Sequence, residues 1–154
     1  MENIKKIPYN IEAEQSILGG IFLKPDAVAK VIEIIKSDDF YKHSNKIIYE
    51  VMLECYEEGD VIDPLLIIEK LKKKQKINEV GGENEIFEIM RSVPTAANIA
   101  NYARIVKEKS VLRKLIEVGT QVAELAYEGY DEVEAIMDKA ENMIFRIAQK
   151  KEKK

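Results

Sequence analysis

The stretch AANIANYARIVKEKSVLRKLIEVGTQVAELAY, residues 96–127, decides the fold. It holds no proline and one glycine, Gly119, so little in it forces the chain out of a helix. At a rise of about 1.5 Å per residue it makes one long helix, or two nearly collinear ones with a break around 106–110. Its apolar residues fall into two adjacent lines. Val111, Leu115, Val118, Val122 and Leu125 repeat at spacings of four and three. Leu112, Ile116, Gly119, Ala123 and Ala126 do the same one residue along. A two-helix hairpin has one mutual seam, and one line fills it; two lines give a wider apolar arc. Gly119 and Ala123 leave room in that arc for a close helix. The second line packs either on the rest of the chain or, the preferred reading, on the same surface of a second copy. Two hairpins would then close into an intermolecular four-helix bundle.

On the C-terminal side, Glu128-Gly129-Tyr130 reads as a turn and Asp131 with Glu134 as a capping box. A last helix carries Val133, Met137, Ala140, Ile144 and Ile147. The candidate seam residues are Leu112, Leu115, Ile116, Gly119, Val122 and Ala123, with Met137, Ala140 and Ile144. Their division between intrachain and interchain seams stays open. The tail, residues 149–154, is Lys-rich and expected to fray.

On the N-terminal side, breakers space out about five short helices. Asn10 N-caps the first, with Glu12 and Glu14 in its first turn, where the helix dipole favours acid. Pro25 opens the second. A loop from Ser37 to His43 offers Phe40 and Tyr41 to the core. Ser44 caps the third helix, and Gly59 stops it. Asp63-Pro64 opens the fourth, and the fifth runs over 83–91. The expected fold is all-α: a loose arm (1–9), a compact helical bundle (10–95), a long helical hairpin (96–148) and a charged tail (149–154).

Composition narrows the function. Hydrophobic residues make up 46% of the 154, enough for a core. The net charge of −4 makes wrapping of nucleic acid by the protein's own field a poor fit. Apolar runs are too short to span a bilayer, and Met1–Lys6 has no apolar signal region, so a cytoplasmic home is expected. One Cys and one His allow no internal disulfide and too few ligands for a His/Cys zinc site.

No catalytic constellation stands out. Gly19-Gly20 and Gly81-Gly82 lack the downstream Gly-Lys-Ser/Thr of a phosphate loop. His43 lies in a polar loop, and Cys55 on the apolar face of the third helix. Asp38-Asp39 and Asp131-Glu132-Glu134 read as caps or solvated faces rather than metal sites. The lysines at 70, 72, 73, 74 and 76 could touch phosphates, but they also complement a helix C-terminus, and no aromatics interleave them to stack bases. On residues alone, this is a helical protein-interaction module without metal or cofactor.

Five ordered blocks are more specific. They are Pro8-Tyr9-Asn10-Ile11-Glu12-Ala13-Glu14-Gln15-Ser16-Ile17-Leu18-Gly19-Gly20; Asp38-Asp39-Phe40-Tyr41 with His43 and Ile47-Ile48-Tyr49; Gly59-Asp60-Val61-Ile62-Asp63-Pro64; Glu79-Val80-Gly81-Gly82; and Pro94-Thr95-Ala96-Ala97-Asn98-Ile99-Ala100-Asn101-Tyr102-Ala103-Arg104-Ile105-Val106. Together they resemble the N-terminal domain of the DnaB-type replicative DNA helicases, over residues 8–148. The resemblance implies a non-catalytic collar. Such domains pair through their hairpins, three pairs make a ring above a motor ring, and the collar receives the helicase-binding domain of primase. The Walker motifs of the family's motor are not in this sequence, so ATP and Mg would belong to that motor, and the Lys-rich end suggests an excised domain. The surface expected to meet primase lies near Glu12, Glu85, Ile116 and Val122. Tight direct DNA binding is not expected. The rival reading is a free-standing phage or plasmid adaptor that binds the helicase or primase.

Overall fold

Asn10 starts the first helix as its type predicts: extended backbone, with its side chain accepting the Ala13 N–H at 2.9 Å. In the computed structural model, residues 5–152 are described. They form α1 (Ile11–Leu23), α2 (Val28–Ile34), α3 (His43–Glu58), α4 (Pro64–Lys73), α5 (Glu83–Arg91), α6 (Ile99–Glu128) and α7 (Val133–Glu152). Two short 3-10 turns, Pro25–Ala27 and Ser37–Asp39, join them, and no strand occurs among the described residues. Asp63 caps α4, accepting the Leu65 N–H at 3.1 Å with Pro64 in the first turn, and Gly59 ends α3 at a φ of +75°. The all-α expectation, a bundle of five helices and then a hairpin, holds.

The chain divides into two compact units, Tyr9–Lys109 and a second made of Met1–Pro8 with Ser110–Lys154. The expected boundary at 95/96 falls fourteen residues earlier. Ile99, Ala103 and Val106 are buried in the globular core, so the start of α6 belongs to that unit. The suspected break around 106–110 is absent: α6 runs unbroken through it. The arm is tied down where it is described. Pro8 C=O accepts Arg113 Nη1 at 2.8 Å, and the Tyr9 ring stacks on Tyr41 with centroids 4.4 Å apart. Residues 1–4 and 153–154 lie outside the described residues, and the helix of α7 continues to Glu152.

The globular unit closes on a saturated core. Ile17, Leu18, Ile21, Ile48, Met52, Ile67, Leu71 and Ile86 are completely buried. Phe40 plugs this core against Tyr49 (centroids 4.9 Å), while Tyr41 stays outside on Tyr9, so only one of the expected aromatic pair faces inward. The Tyr49 hydroxyl donates to Ile35 C=O at 3.2 Å, and burial pushes its pKa up. Gly19 is a close-approach position. A Cβ there would sit 2.7 Å from the Ile89 carbonyl oxygen, so α1 meets α5 at a distance only glycine allows.

Ser44 does not cap α3. The helix begins at His43, and Glu14 of α1 takes the N–H groups of the two residues that lead into it, Tyr41 and Lys42. The buried Glu14 carboxylate accepts Tyr41 N–H at 2.7 Å, Lys42 N–H at 3.2 Å and Asn45 Nδ2 at 3.1 Å. A carboxylate at a helix N-terminus satisfies orphan donors and the dipole together.

Candidate interaction surface

The second unit is built on different terms. Between residues 111 and 149 no residue is buried. Apart from Arg113, Lys114 and Ala135, half-burial follows one line on each helix: Val111, Val118, Val122 and Leu125 on α6, and Ile136, Ala140, Met143 and Ile147 on α7. Both lines repeat at four-three spacing, the pattern of a seam between helices joined by a short turn. Gly129, at a φ of +59°, forms that turn, and α7 starts at Val133. Asp131 does not complete the expected capping box; its carboxylate takes Lys139 Nζ at 2.6 Å.

Beside the half-buried lines run exposed ones. On α6 these are Leu112, Leu115 and Ile116, with Gly119 and Ala123; on α7, Val133, Met137, Ile144 and Phe145. Ile116 is 51% exposed and Val133 75%. A Cβ added at Gly119 would meet nothing within 4 Å. The nine candidate seam residues therefore separate. Val122 and Ala140 sit in the half-buried lines. Leu112, Leu115, Ile116, Gly119, Ala123, Met137 and Ile144 face outward. The α7 pattern read from the sequence mixes two registers: Ala140 and Ile147 belong to one line, and Val133, Met137 and Ile144 to the other. The phase of α7 about its axis decides between them, and the turn sets that phase. Met143 and Phe145 were the overlooked signals, since they make both registers apolar.

The four residues expected near primase are distributed over both units. Glu12, exposed on α1, and Glu85, half-buried on α5, lie on two helices packed against each other. Ile116 is exposed on α6, and Val122 is in the half-buried line. Glu14, buried two residues beyond Glu12, has its carboxylate committed to the start of α3.

The remaining chemistry-bearing residues have structural surroundings. Cys55 is buried, which pushes its thiol pKa up and keeps it protonated. His43 Nε2 lies 3.6 Å from the Glu79 carboxylate at the surface. Lys70 meets Glu58 at 2.6 Å, Lys72 meets Glu83 at 2.8 Å, and Lys74 meets Glu54 at 2.7 Å. The Lys70 bond holds the Glu58 carboxyl below its ordinary range and the Lys70 ammonium above its own. Three lysines of the basic run thus spend their charge on carboxylates of this chain. Among the described residues, no group of three or more His, Cys, Asp or Glu could hold a metal, and no helix is long and apolar enough to cross a membrane.

A saturated helical globule carrying a hairpin with unsaturated apolar lines defines a helical interaction domain. Residues 6–108 match the family described as DnaB-like helicase N terminal domain, and the chain belongs to that family. It is 44% identical over 144 residues to the replicative DNA helicase DnaC of Bacillus subtilis, covering 94% of this chain and 32% of that protein. The chain thus spans about a third of the length of this curated relative. It is similar to the crystal structure of the N-terminal domain of DnaB helicase from Mycobacterium tuberculosis, with a TM-score of 0.87 and 35% identity, over 92% of this chain and 99% of the other. It is also similar to the N-terminal domain of DnaB helicase from Helicobacter pylori, described with its interactions with primase: TM-score 0.67, 28% identity, 75% of this chain and 90% of the other.

Proposed function

We propose that this chain acts as a non-catalytic collar in a bacterial replicative helicase, pairing through its hairpin and offering the assembled ring to primase. One observation carries the reading. The second unit buries no residue between 111 and 149, yet presents apolar lines on both of its helices. An exposed patch of that kind marks an interaction surface. Covering it with a second hairpin gives a dimer, and three dimers give the ring of a hexamer. The primase partner is supported by the Helicobacter pylori relative, described with its interactions with primase. Strand separation, with its ATP and Mg, would belong to a motor domain of the whole protein, in the cytoplasm. DNA is not a direct partner in this reading, because carboxylates of the same chain meet Lys70, Lys72 and Lys74.

Ile116→Asp tests the reading. Burying an unpaired carboxylate in an interface costs several kcal/mol, about 2–7 for a polar group alone, so the variant should be monomeric. Light scattering reads the mass, and circular dichroism should show unchanged helix content, since position 116 is exposed in the single chain. A variant with the same mass as the parent removes Ile116 from the interface. A salt-dependent titration with DNA should be flat; a steep slope would restore the lysine run as a nucleic-acid site.

A further inference from the structure

An open groove lies wholly within the globular unit, where the end of α1 and the start of α2 face the start of α6. Its walls come from residues between 23 and 30 and between 94 and 100, and the space they enclose is about 670 Å3. The walls are held close. Ile99 is buried, and a Cβ added at Gly20 would come 3.0 Å from its Cδ1, so α6 begins tight against α1.

Three features define what fits there. The first is apolar surface. Leu23 is half exposed on one wall, and Ala27, Ala96, Ala97 and Ala100 keep the lining thin enough for another backbone to come near. The second is charge. Lys24 and Lys30 are exposed in the lining, and among the described residues neither meets a carboxylate, unlike Lys70, Lys72 and Lys74. Asp26 is the one acid among the described residues that line the groove. Thr95 Oγ1 accepts the Ala97 N–H at 3.1 Å, but α6 has no acid in its first turn, so the positive end of its dipole is left to the groove. The third is what is missing from the lining. The four buried polar residues Glu14, Asp39, Asn45 and Ser110 lie elsewhere, so the groove lacks the convergent polar groups that orient a small molecule. It also has no aromatic ring on which a base would stack.

We propose that this groove docks an acidic amphipathic helix of another protein. The apolar stripe of that helix lies against Leu23 and the alanines, and its carboxylates reach Lys24, Lys30 and the amino end of α6. An extended peptide would need a sheet edge or an aromatic-lined channel; no strand occurs among the described residues, and no ring lines the groove. A helix satisfies its own backbone and needs neither. The groove sits at the opposite end of α1 from Glu12, eleven residues or roughly 16 Å along the helix. None of Glu12, Glu85, Ile116 and Val122 lines it, so it is separate from the surface expected to meet primase and does not depend on hairpin pairing.

Panning a phage-displayed library of random helical peptides, about 16 residues or a little over four turns long, on the full chain tests the proposal. Negative selection uses Ala100→Trp, whose indole fills the groove, and circular dichroism checks that the variant keeps its helix content. Selected peptides should carry Leu, Ile, Phe or Met at i, i+3, i+4 and i+7 and a net negative charge. A labelled synthetic copy of the best one, followed by fluorescence anisotropy, should bind about tenfold more weakly to Lys24→Glu with Lys30→Glu. Replacing the acids of that peptide by lysine should restore its binding to the doubly substituted chain and weaken it on the parent. An empty selection, peptides without this pattern, or affinities indifferent to both variants overturn the proposal. So does a single-stranded oligonucleotide that binds through Lys24 and Lys30 where no peptide does, which would make the groove a phosphate site. A lower mass for Ala100→Trp than for the parent by light scattering, with no peptide present, would put a second copy in the groove and overturn it as well.

Discussion

The two units of this chain solve the same problem differently. In the globular unit, most apolar residues at helical spacing are buried within the chain, with Leu23, Val61 and Leu65 left at its surface. Ile48 and Ile17 are completely buried, Glu14 seals the start of α3, and Gly19 lets α1 close on α5. In the hairpin unit, comparable residues at comparable spacing stay half covered or open: Ile116 and Ile144 are each about half exposed. The difference lies not in hydrophobicity but in the number of neighbours. A helix in a five-helix bundle is covered from several sides, whereas a helix in a two-helix hairpin is covered from one. An apolar arc wider than one seam is complete in the first setting and incomplete in the second.

The contrast can be broken by truncating one isoleucine on each side of it. Ile48→Ala should cost about 2–5 kcal/mol in denaturant unfolding, the range for a core cavity. Ile144→Ala, measured on dilute monomer, should change stability by no more than about 0.5 kcal/mol. Equal costs would mean the hairpin is as closed as the globule. Gly19→Ala sharpens the globular side: with the Ile89 carbonyl oxygen 2.7 Å from the new methyl, a loss of about 1–3 kcal/mol is expected. Gly119→Ala is its counterpart in open space, and should raise monomer stability by up to about 1 kcal/mol through helix propensity. Glu14→Gln keeps the shape but weakens charge-assisted bonds to Tyr41 and Lys42, for a loss of about 1.5–3 kcal/mol by chemical denaturation.

The smallest effect is that of pH on the Glu58–Lys70 pair. Glu58 has a lowered pKa in the fold, so its contribution is present above the unfolded value and lost as pH falls through the folded one. Lys70 has a raised pKa, so its contribution is present below the unfolded value and lost as pH rises through the folded one. For this pair, stability should be flat across neutral pH and dip slightly in acid. Both groups reach solvent, so thermal melts between acid and neutral pH should show only a small change. In alkali the fall should be larger, because buried Tyr49 and Cys55 hold their protons in the fold above the pH at which the unfolded chain loses them.

Much of this was legible in the residues. Asn10, Gly59 and Asp63-Pro64 marked helix ends by chemistry that acts within a few residues, and the structure keeps them. The two lines on α6 were visible because Leu112, Ile116, Gly119, Ala123 and Ala126 stand one residue from their neighbours. What was hidden depended on long-range partners. Glu14 resembles any first-turn acid until the start of α3, 27 residues away, arrives beside it. The α7 register was ambiguous because Met137 with Ile144 and Ile136 with Met143 both repeat helically, and only the turn at Gly129 fixes which line faces α6. The unit boundary moved to 109/110 because no residue type marks where a continuous helix leaves a core.

The most direct test of the central claim is sedimentation equilibrium of the unaltered chain over a wide concentration range. The account predicts a monomer of 17.7 kDa at high dilution giving way to a species of twice that mass as concentration rises. A single 17.7 kDa species at every concentration, with Ile116 and Ile144 protected from solvent in that monomer, would contradict it.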